Sequence, residues 1–441
     1  MGVSENPVWL DSRLTSGKAF DGTWSTALAS VRDVKEPATG QVLSQVGIAS
    51  AADMRAAIDR AHAAQPAWAA MGPRERSAVF HRAAALFQQH FAELAMTISR
   101  ETGGILPKGQ HEVNESITLC HLAAGLPMQA QGQVLPAAAG RLSFARRVPH
   151  GVVGVISPFN FPLILGLRSV APALALGNAV VLKPDTRTPV SGGFIIARVF
   201  EEAGLPKGVL QVLPGDAEAG EALVTDPRVP MIAFTGSPTV GRRIGALAGE
   251  HLKKVSLELG GANNLIILED ADLDAAASAA AFGAWFHQGQ ICMASNRILV
   301  HESIAEGILQ RMVGKATHLP VGDGASGQVA LGPMIDAKQL AQRLATGEEF
   351  VLLDVREAEE LALAALPGVI HLPLSRSQEW LETLPERLSQ EKNLVVICHG
   401  GIRSWHFGCW LIDTHGYTKV WNLEGGIDAW SVQVDPSLPR Y

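Results

Sequence analysis

GVVGVISPFNFPLILGLRSVAPALALGNAVVL, residues 151–182, decides the fold of this chain of 441 residues. Its only charged side chain is Arg168, and proline, glycine and asparagine interrupt the apolar run several times. A membrane-spanning helix needs about 20 consecutive apolar residues. The stretch is therefore better interpreted as a buried strand, a loop, a helix and a second strand.

The same alternation continues beyond residue 182. Short β-branched runs are separated by segments with apolar residues at helical spacing, which is typical of an α/β fold with a doubly wound parallel sheet. Ligands bind such sheets at the carboxyl ends of the strands, so the loops after the strands are candidate binding segments. We predict strands at Val152–Ile156, Ala179–Leu182, Val209–Val212, Met231–Phe234 and Val255–Leu257, and helices at Leu165–Leu176, Ser191–Glu202, Ala217–Leu223 and Thr239–Ala248.

The segment before residue 151 has a different pattern. Short strands and turns are expected up to about Ile48, and an extended arm or hairpin is expected at Pro127–Arg147. Apolar residues at helical spacing predict helices at Ala51–Ala70, Arg74–Glu101 and about Glu112–Gly125.

Composition and charge exclude several classes of protein. The net charge of -7 argues against a general nucleic-acid binder. The N-terminus lacks a basic region followed by an apolar one, so no secretory signal is predicted. The four cysteines (Cys120, Cys292, Cys398, Cys409) show no metal-type spacing, so we expect no metal site, reduced thiols and a cytoplasmic location, with no membrane partner.

Two reactive side chains flank one segment of the second half. Glu258 ends a strand-like run, and Cys292 follows 34 residues later. A thiolate attacks an aldehyde carbon readily, a carboxylate can act as general base for hydrolysis, and the Asn160 amide could donate to the oxyanion. A lone cysteine is usually a small core residue and a lone glutamate is usually solvated, so spacing alone leaves both interpretations open.

Five motifs in order make the chain resemble the NAD(P)-dependent aldehyde dehydrogenase family, in particular its benzaldehyde dehydrogenase branch, over about residues 36–335. The resemblance implies Cys292 as nucleophile, Glu258 as general base and Asn160 as oxyanion donor. The motifs are Ser157–Pro162, Val181–Pro184, Phe234–Gly241, Leu257–Gly261 and Gly289–Cys292.

The resemblance also implies a cofactor site. Lys183 is expected at the cofactor ribose, and the turn Gly236–Gly241 near the pyrophosphate. Family members that prefer NAD carry an acidic residue three places after this lysine, where this chain has Thr186. We expect NAD, with NADP as the alternative. The predicted cofactor-binding residues are Ser157, Phe159, Lys183, Gly215, Gly236, Ser237 and Gly241.

The resemblance stops after Ile335. The family continues with a Glu-x-Phe-Gly-Pro segment that holds the nicotinamide ribose and with a strand that pairs between subunits, and neither is found here. We therefore expect a dinucleotide-binding domain at 1–257, with its arm near 127–150, and an incomplete catalytic domain at 258–335. A shortened sheet should expose strand edges and apolar faces, and a homo-oligomer is expected only if the missing strand is dispensable.

A second cysteine leaves a strand and enters a glycine-bearing loop, Cys398–Ser404. The flanking segments Leu352–Glu357, Leu366–Leu374 and Val420–Trp430 resemble a small α/β rhodanese-like domain at 336–441. That resemblance implies a persulfide on Cys398, with Arg403, Gly400 and Gly401 binding an anionic sulfur donor, and structural roles for Asp354 and Arg356. A phosphatase loop and a silent, protein-binding rhodanese domain are the alternatives.

The sequence thus predicts oxidation of an aldehyde, of the aromatic, benzaldehyde-like kind, to its carboxylic acid through Cys292. Sulfur transfer from a donor to an acceptor through Cys398 is the alternative surviving activity. A non-catalytic interaction protein is the third.

Overall fold

The computed structural model describes residues 9–10, 15–26, 30–326, 329–333, 350–390, 392–400, 402–417, 420–423, 426–435 and 437–439. The chain divides into two compact units, Met1–Pro333 and Met334–Tyr441. Gly401 of the predicted donor loop lies outside the described residues.

The first unit is built on a seven-stranded sheet. Five strands are parallel, in the order β11-β10-β7-β8-β9, and an antiparallel pair, β1 and β2, extends the β9 edge. Chain order reverses between β7 and β10, as in a doubly wound sheet, which confirms the predicted fold class. The strands are β1 Lys18–Phe20, β2 Trp24–Thr26, β7 Val152–Ile156, β8 Ala179–Lys183, β9 Leu210–Val212, β10 Met231–Gly236 and β11 Lys254–Leu259.

Helices cover both faces of this sheet, so its central strands are apolar on both sides. The prediction of one helix over Arg74–Glu101 is wrong: the helix breaks at His90, whose φ of −102° and ψ of 18° are not helical. The helices are Ala51–Ala70, Pro73–Gln89, Phe91–Thr102, Leu106–Gly125, Pro162–Ala175, Ile195–Glu202 (preceded by a π-helical turn, Val190–Phe194), Ala217–Thr225 and Pro238–Glu250. Within the ranges described above, no helix is both long and apolar enough to cross a bilayer.

Two antiparallel hairpins complete this part of the unit. The first pairs β3 (Ser30–Lys35) with β4 (Val42–Ile48). The second pairs β5 (Gly132–Leu135) with β6 (Ser143–Arg146), a hairpin within the range 127–147 that was predicted as an extended arm or hairpin. Its apolar side chains stand in solvent, and Val134 is 78% exposed.

The segment after residue 259 forms a small parallel sheet of two strands, β12 (Asn263–Ile267) and β13 (Ser295–Val300). Helices Leu273–Trp285 and Ala305–Thr317 belong with it, and Ile267, Ala277 and Ile308 form its core. On the strands, Ile266 and Leu299 are 64% and 46% exposed. Parallel sheets are normally covered on both faces, and the described residues leave this apolar face partly exposed.

The second unit has a four-stranded parallel sheet in the order β15-β14-β16-β17. Alternate residues of β16 pack into separate clusters, Leu394 and Val396 in one, Val395 and Ile397 in the other. Apolar residues at helical spacing predict helices at Lys338–Leu344 and Gln378–Leu388. The second is two short helices in the structure, and the first lies outside the described residues. The elements are β14 Phe350–Asp354, β15 Ile370–His371, β16 Asn393–Ile397 and β17 Val420–Asn422, with helices Ala358–Leu363, Ser377–Trp380, Leu384–Arg387, Ile402–His415 and Gly426–Gln433.

Candidate functional site

A cavity of about 260 Å³ opens at the carboxyl ends of β7, β10 and β11. This is the point at which strand order reverses, where ligands bind doubly wound sheets. Its walls come from the loop after β7, the ends of β10 and β11, and the segment ending in Cys292. Of the predicted site residues, it is lined by Phe159, Asn160, Gly236, Ser237, Glu258 and Cys292.

Cys292 stands exposed at this cavity and is held through its backbone. The Asn263 side-chain amide donates to the Cys292 carbonyl (2.6 Å) and to the Ala294 carbonyl (3.1 Å). Two preceding residues, His287 and Gln288, have positive φ angles of 49° and 58°, so the chain turns sharply before the cysteine. Sequence reasoning missed Asn263, although its position just after the glycine pair that follows Glu258 was a usable signal.

The side-chain amide of Asn160 is hydrogen-bonded to a backbone carbonyl. Its Nδ2 donates to the Gln290 oxygen at 2.7 Å, two residues before Cys292. The amide that was predicted to bind an oxyanion is therefore held beside the segment that carries the nucleophile.

Glu258 occupies the end of β11, opposite Thr235 of β10 in the parallel register. Its carboxylate is 61% exposed and lies 3.6 Å from Nη2 of Arg168. The same Arg168 nitrogen donates to the Thr235 hydroxyl at 3.3 Å. An exposed pair of this kind adds little stability, but it places a cation beside the carboxylate. Sequence reasoning did not assign Arg168 to the site.

Lys183 and Gly215 meet at the ends of β8 and β9. The Lys183 ammonium donates to the Gly215 carbonyl at 2.6 Å, and burial lowers the pKa of this lysine. The Ser157 backbone N–H donates to the Lys183 carbonyl at 3.2 Å. The Ser157 hydroxyl is buried without a hydrogen-bond partner in the part of the chain that the structure describes. These three residues are not among those lining the cavity around Cys292.

Arg32, from β3, reaches the same region and was missed by sequence reasoning. Its guanidinium forms an ion pair with both oxygens of Asp216, at 3.0 and 2.8 Å. It also donates to the Thr186 hydroxyl at 3.0 Å, the position at which the resemblance places cofactor discrimination. A cation therefore stands beside that position, with its charge already matched by a carboxylate.

The turn after β10 begins the helix Pro238–Glu250. The Ser237 hydroxyl caps that helix by accepting from the Val240 N–H at 3.4 Å. At Gly241 an added Cβ would lie 2.4 Å from Cδ2 of Leu259, so a larger residue would have to displace that leucine side chain. Phe159 lies under the Arg187 guanidinium, 4.0 Å from its ring centre. Trp285 and Phe286, aromatic residues of the same region, are not among the lining residues of the cavity.

In the second unit, Cys398 is buried at the carboxyl end of β16. Its Sγ accepts a hydrogen bond from the Ser404 hydroxyl at 3.1 Å. The Ile427 N–H donates to the Cys398 carbonyl at 2.9 Å. A Cβ on Gly426 would approach that carbonyl oxygen to 2.2 Å, so glycine is required there. The thiol thus lies in a tightly fixed strand-to-loop transition.

Arg403 does not point at an open space: it forms a two-point ion pair with Glu360, at 2.7 and 2.6 Å. The hydrogen bonds from Arg403 lower the pKa of Glu360 to about 2. Gly400 is exposed in the same loop. Asp354 and Arg356 form a fully buried pair at 2.6 Å, consistent with the structural roles that the resemblance implied. Among the described residues, no cluster of three or more metal-ligating side chains is found.

Comparison with known proteins gives two family matches. Residues 24–351 match the aldehyde dehydrogenase family and residues 336–433 match the rhodanese-like domain. The chain is 56% identical over 331 residues to a vanillin dehydrogenase of Amycolatopsis sp., covering 75% of this chain and 68% of that protein. It is 48% identical over 341 residues to a benzaldehyde dehydrogenase (NAD(+)) of Pseudomonas putida, covering 77% and 69%.

Solved structures give the same result. The crystal structure of an NAD-dependent benzaldehyde dehydrogenase from Corynebacterium glutamicum superimposes with a TM-score of 0.71 at 41% identity. The superposition covers 77% of this chain and 73% of that one. The aldehyde dehydrogenase match, residues 24–351, extends beyond the predicted range of about 36–335 at both ends. It overlaps the rhodanese-like match at residues 336–351.

Proposed function

The chain belongs to the aldehyde dehydrogenase family and continues into a rhodanese-like domain, and on this premise we propose that its first unit oxidises an aromatic aldehyde to the carboxylic acid. The observation that carries the proposal is the gathering of Cys292, Glu258 and Asn160 around one cavity at the strand-order reversal. Substrate class is supported by the similarity to vanillin and benzaldehyde dehydrogenases.

In the first step the Cys292 thiolate adds to the aldehyde carbon and the carbonyl oxygen becomes an oxyanion. The Asn160 side-chain NH2 has two N–H groups, and while one is held by the Gln290 carbonyl the other donates to that oxyanion. When the oxyanion collapses, the carbon loses hydride and a thioester to Cys292 remains. NAD(P), when bound, supplies the hydride acceptor.

Hydrolysis of the thioester is the second step. Glu258 removes a proton from water, the water oxygen bonds to the acyl carbon, and the carbon–sulfur bond breaks. The carboxylic acid leaves and the Cys292 thiolate is regenerated. The Arg168 guanidinium, 3.6 Å from Glu258, keeps the base directed toward the cavity.

The described residues fit a dinucleotide. The buried Ser157 hydroxyl lacks a partner, and the capped N-terminus of Pro238–Glu250 begins at the cavity wall formed by Gly236 and Ser237. A helix N-terminus favours an anionic group such as a pyrophosphate. We assign Lys183 and Gly215 to the ribose side of the same ligand.

For the choice between the two dinucleotides we propose NAD. Arg32 is the cation at Thr186, and both oxygens of Asp216 already bind its guanidinium, so Arg32 is not free to pair with a 2′-phosphate. Titration of the full chain with NAD and with NADP should give the tighter dissociation constant for NAD. Asp216→Asn frees Arg32 and should narrow the difference; tighter NADP binding by the unaltered chain would contradict the choice.

Oxidation is tested by the absorbance of reduced cofactor on adding benzaldehyde or vanillin to the full chain with NAD. Cys292→Ala should abolish the signal, and Glu258→Gln should stop turnover after the thioester has formed. Cys120→Ala is the matched control, because burial raises the pKa of that core thiol to about 12 and leaves it unreactive. No difference between the unaltered chain and Cys292→Ala would refute the proposal.

A second candidate function is sulfur transfer by the second unit. It rests on the Cys398 thiol at a strand end, hydrogen-bonded by Ser404. The Cys398 thiolate should take the outer sulfur of thiosulfate as a persulfide while the sulfur–sulfur bond of thiosulfate breaks and sulfite leaves. Cyanide should then take that sulfur as thiocyanate and regenerate the thiolate. Loss of thiocyanate in Cys398→Ser supports the assignment, whereas full turnover by that variant excludes it in favour of a protein-binding role.

A further inference from the structure

Lys108 and Glu112 are two buried charges that the proposed reaction does not use. Their side chains are 0% exposed, and Nζ lies 2.6 Å from Oε1 one turn apart on the helix Leu106–Gly125. Burial lowers the pKa of Lys108 and raises the pKa of Glu112. Burying such a pair is costly and is often no more stabilising than an apolar core. Stability alone therefore does not explain why this ion pair is buried here.

Glu112 is bound to the loop that carries Asn160. Its Oε2 accepts from the backbone N–H groups of Leu163 and Ile164, at 3.0 and 3.3 Å. These are first-turn amides of the helix Pro162–Ala175, whose own N-cap residue, Phe161, offers no side-chain acceptor. A carboxylate from a neighbouring helix therefore caps the helix that begins two residues after Asn160, where its charge is also favoured.

Lys108 contacts Phe161, the residue between Asn160 and the helix that Glu112 caps. Its ammonium lies 4.7 Å from the centre of the Phe161 ring. The far partner of that ring is the buried imidazole of His287, edge-on at 5.4 Å between ring centres. His287 accepts, through its backbone carbonyl, the N–H of Gln290 at 3.0 Å, and the Gln290 carbonyl accepts the Asn160 amide at 2.7 Å.

We propose that Glu112, with Lys108, is a positioning residue that fixes the Asn160 amide beside Cys292. The pair does not line the cavity and touches no reacting atom; it acts through the backbone of the Asn160 loop. The inference rests on the proposed function only for the role of Asn160 as oxyanion donor.

The test uses p-nitrophenyl acetate, which needs Cys292 and an oxyanion donor but no dinucleotide. The Cys292 sulfur bonds to the acetyl carbon, the carbon–oxygen bond to the aryl group breaks, and p-nitrophenolate leaves; water then releases acetate. Asn160→Ala should lower kcat on the order of 10²-fold to 10³-fold. Glu112→Gln, which keeps the shape and removes the charge, should lower kcat between about 10-fold and 100-fold at little-changed KM.

The decisive measurement is the double variant. If Glu112 acts through Asn160, Glu112→Gln has no further effect in an Asn160→Ala background, since coupled residues are not additive. Glu115→Gln, exposed on the same helix, is the matched control and should match the unaltered chain. If Glu112→Gln does not fold, Glu112→Asp keeps the charge at shorter reach and should show a smaller loss that also vanishes without Asn160.

Unchanged kcat in Glu112→Gln, or the same fold-loss with and without Asn160, would overturn the proposal, as would an unaltered chain whose Cys292 is not acylated. Ester turnover without NAD reduction would instead count against aldehyde oxidation and leave the positioning role tested and standing.

Discussion

Glu101 gives the first unit a pH-dependent stability that can be worked out from its surroundings. It lies in the last turn of the helix Phe91–Thr102 and is 1% exposed. Its carboxyl group accepts the backbone N–H groups of Val190 and Ser191, at 2.9 and 2.6 Å, and the Ser191 hydroxyl. Burial outweighs these donors and raises the pKa of Glu101 from 4.5 to about 7.

The direction of the pH dependence of the unfolding free energy follows from which state binds the proton more tightly. Between about pH 4.5 and about pH 7 the folded protein keeps the Glu101 proton while the unfolded chain has lost it, so the free energy of unfolding falls as pH rises. The stabilising contribution is complete below the unfolded pKa and is lost by the time the pH passes the folded pKa. A rise from 4.5 to about 7, at about 1.4 kcal/mol per pH unit, amounts to about 3 kcal/mol.

Glu101→Gln removes the titration and keeps an acceptor oxygen. We expect the difference in unfolding free energy between this variant and the unaltered chain to shift by about 3 kcal/mol in favour of the variant from about pH 4.5 to about pH 8. Urea unfolding should be followed by hydrogen exchange of first-unit peptides, because a chain of two units need not unfold in one step. Exposed Glu115→Gln is the control.

A pH-independent difference would refute the claim that burial dominates at Glu101. A shift of the opposite sign would mean that the three donors hold the carboxylate ionised in the folded protein.

Two further predictions concern single contacts. Glu360→Gln weakens the ion pair that holds Arg403, so the KM for thiosulfate should fall by about fivefold in thiocyanate assays that depend on Cys398. This factor is the equivalent of about 1 kcal/mol for a partly exposed ion pair. An unchanged KM would show that Arg403 takes no part in donor binding. Trp68→Ala should lower the unfolding free energy of the first unit by about 3 to 5 kcal/mol, because this indole is 1% exposed and donates to the Leu174 carbonyl at 2.8 Å. A loss of less than about 1 kcal/mol in urea unfolding would contradict that reasoning.

Much of the fold could be predicted because its signals are local. Each of the five parallel strands of the seven-stranded sheet coincides with a short apolar, β-branched run in the sequence, whereas the parallel strands β12 and β13 were not predicted. The break at His90 could not be predicted, since neither proline nor glycine marks it. Packing against neighbouring helices decides such a break, and that packing is absent from any local window.

Some residues of the candidate site could likewise be predicted from the sequence, and others could not. Cys292, Glu258 and Asn160 were identified because family motifs surround them in the sequence, yet their meeting at one cavity depends on strand order. Arg168 went unassigned, because nothing local distinguishes an arginine that faces a carboxylate from one that faces water, whereas Asn263 was missed although it closely follows the glycine pair after Glu258.

By itself, the sequence determined the chemistry available to this protein: two candidate reactive cysteines, Cys292 and Cys398, one in each of two successive α/β units. Only the tertiary structure decided which groups control them. Asn160 is held against Gln290, 130 residues away, and Arg403 is held by Glu360, 43 residues away. Contacts over such separations are set by the order in which strands join a sheet, because that order brings the carboxyl ends of distant strands to one edge.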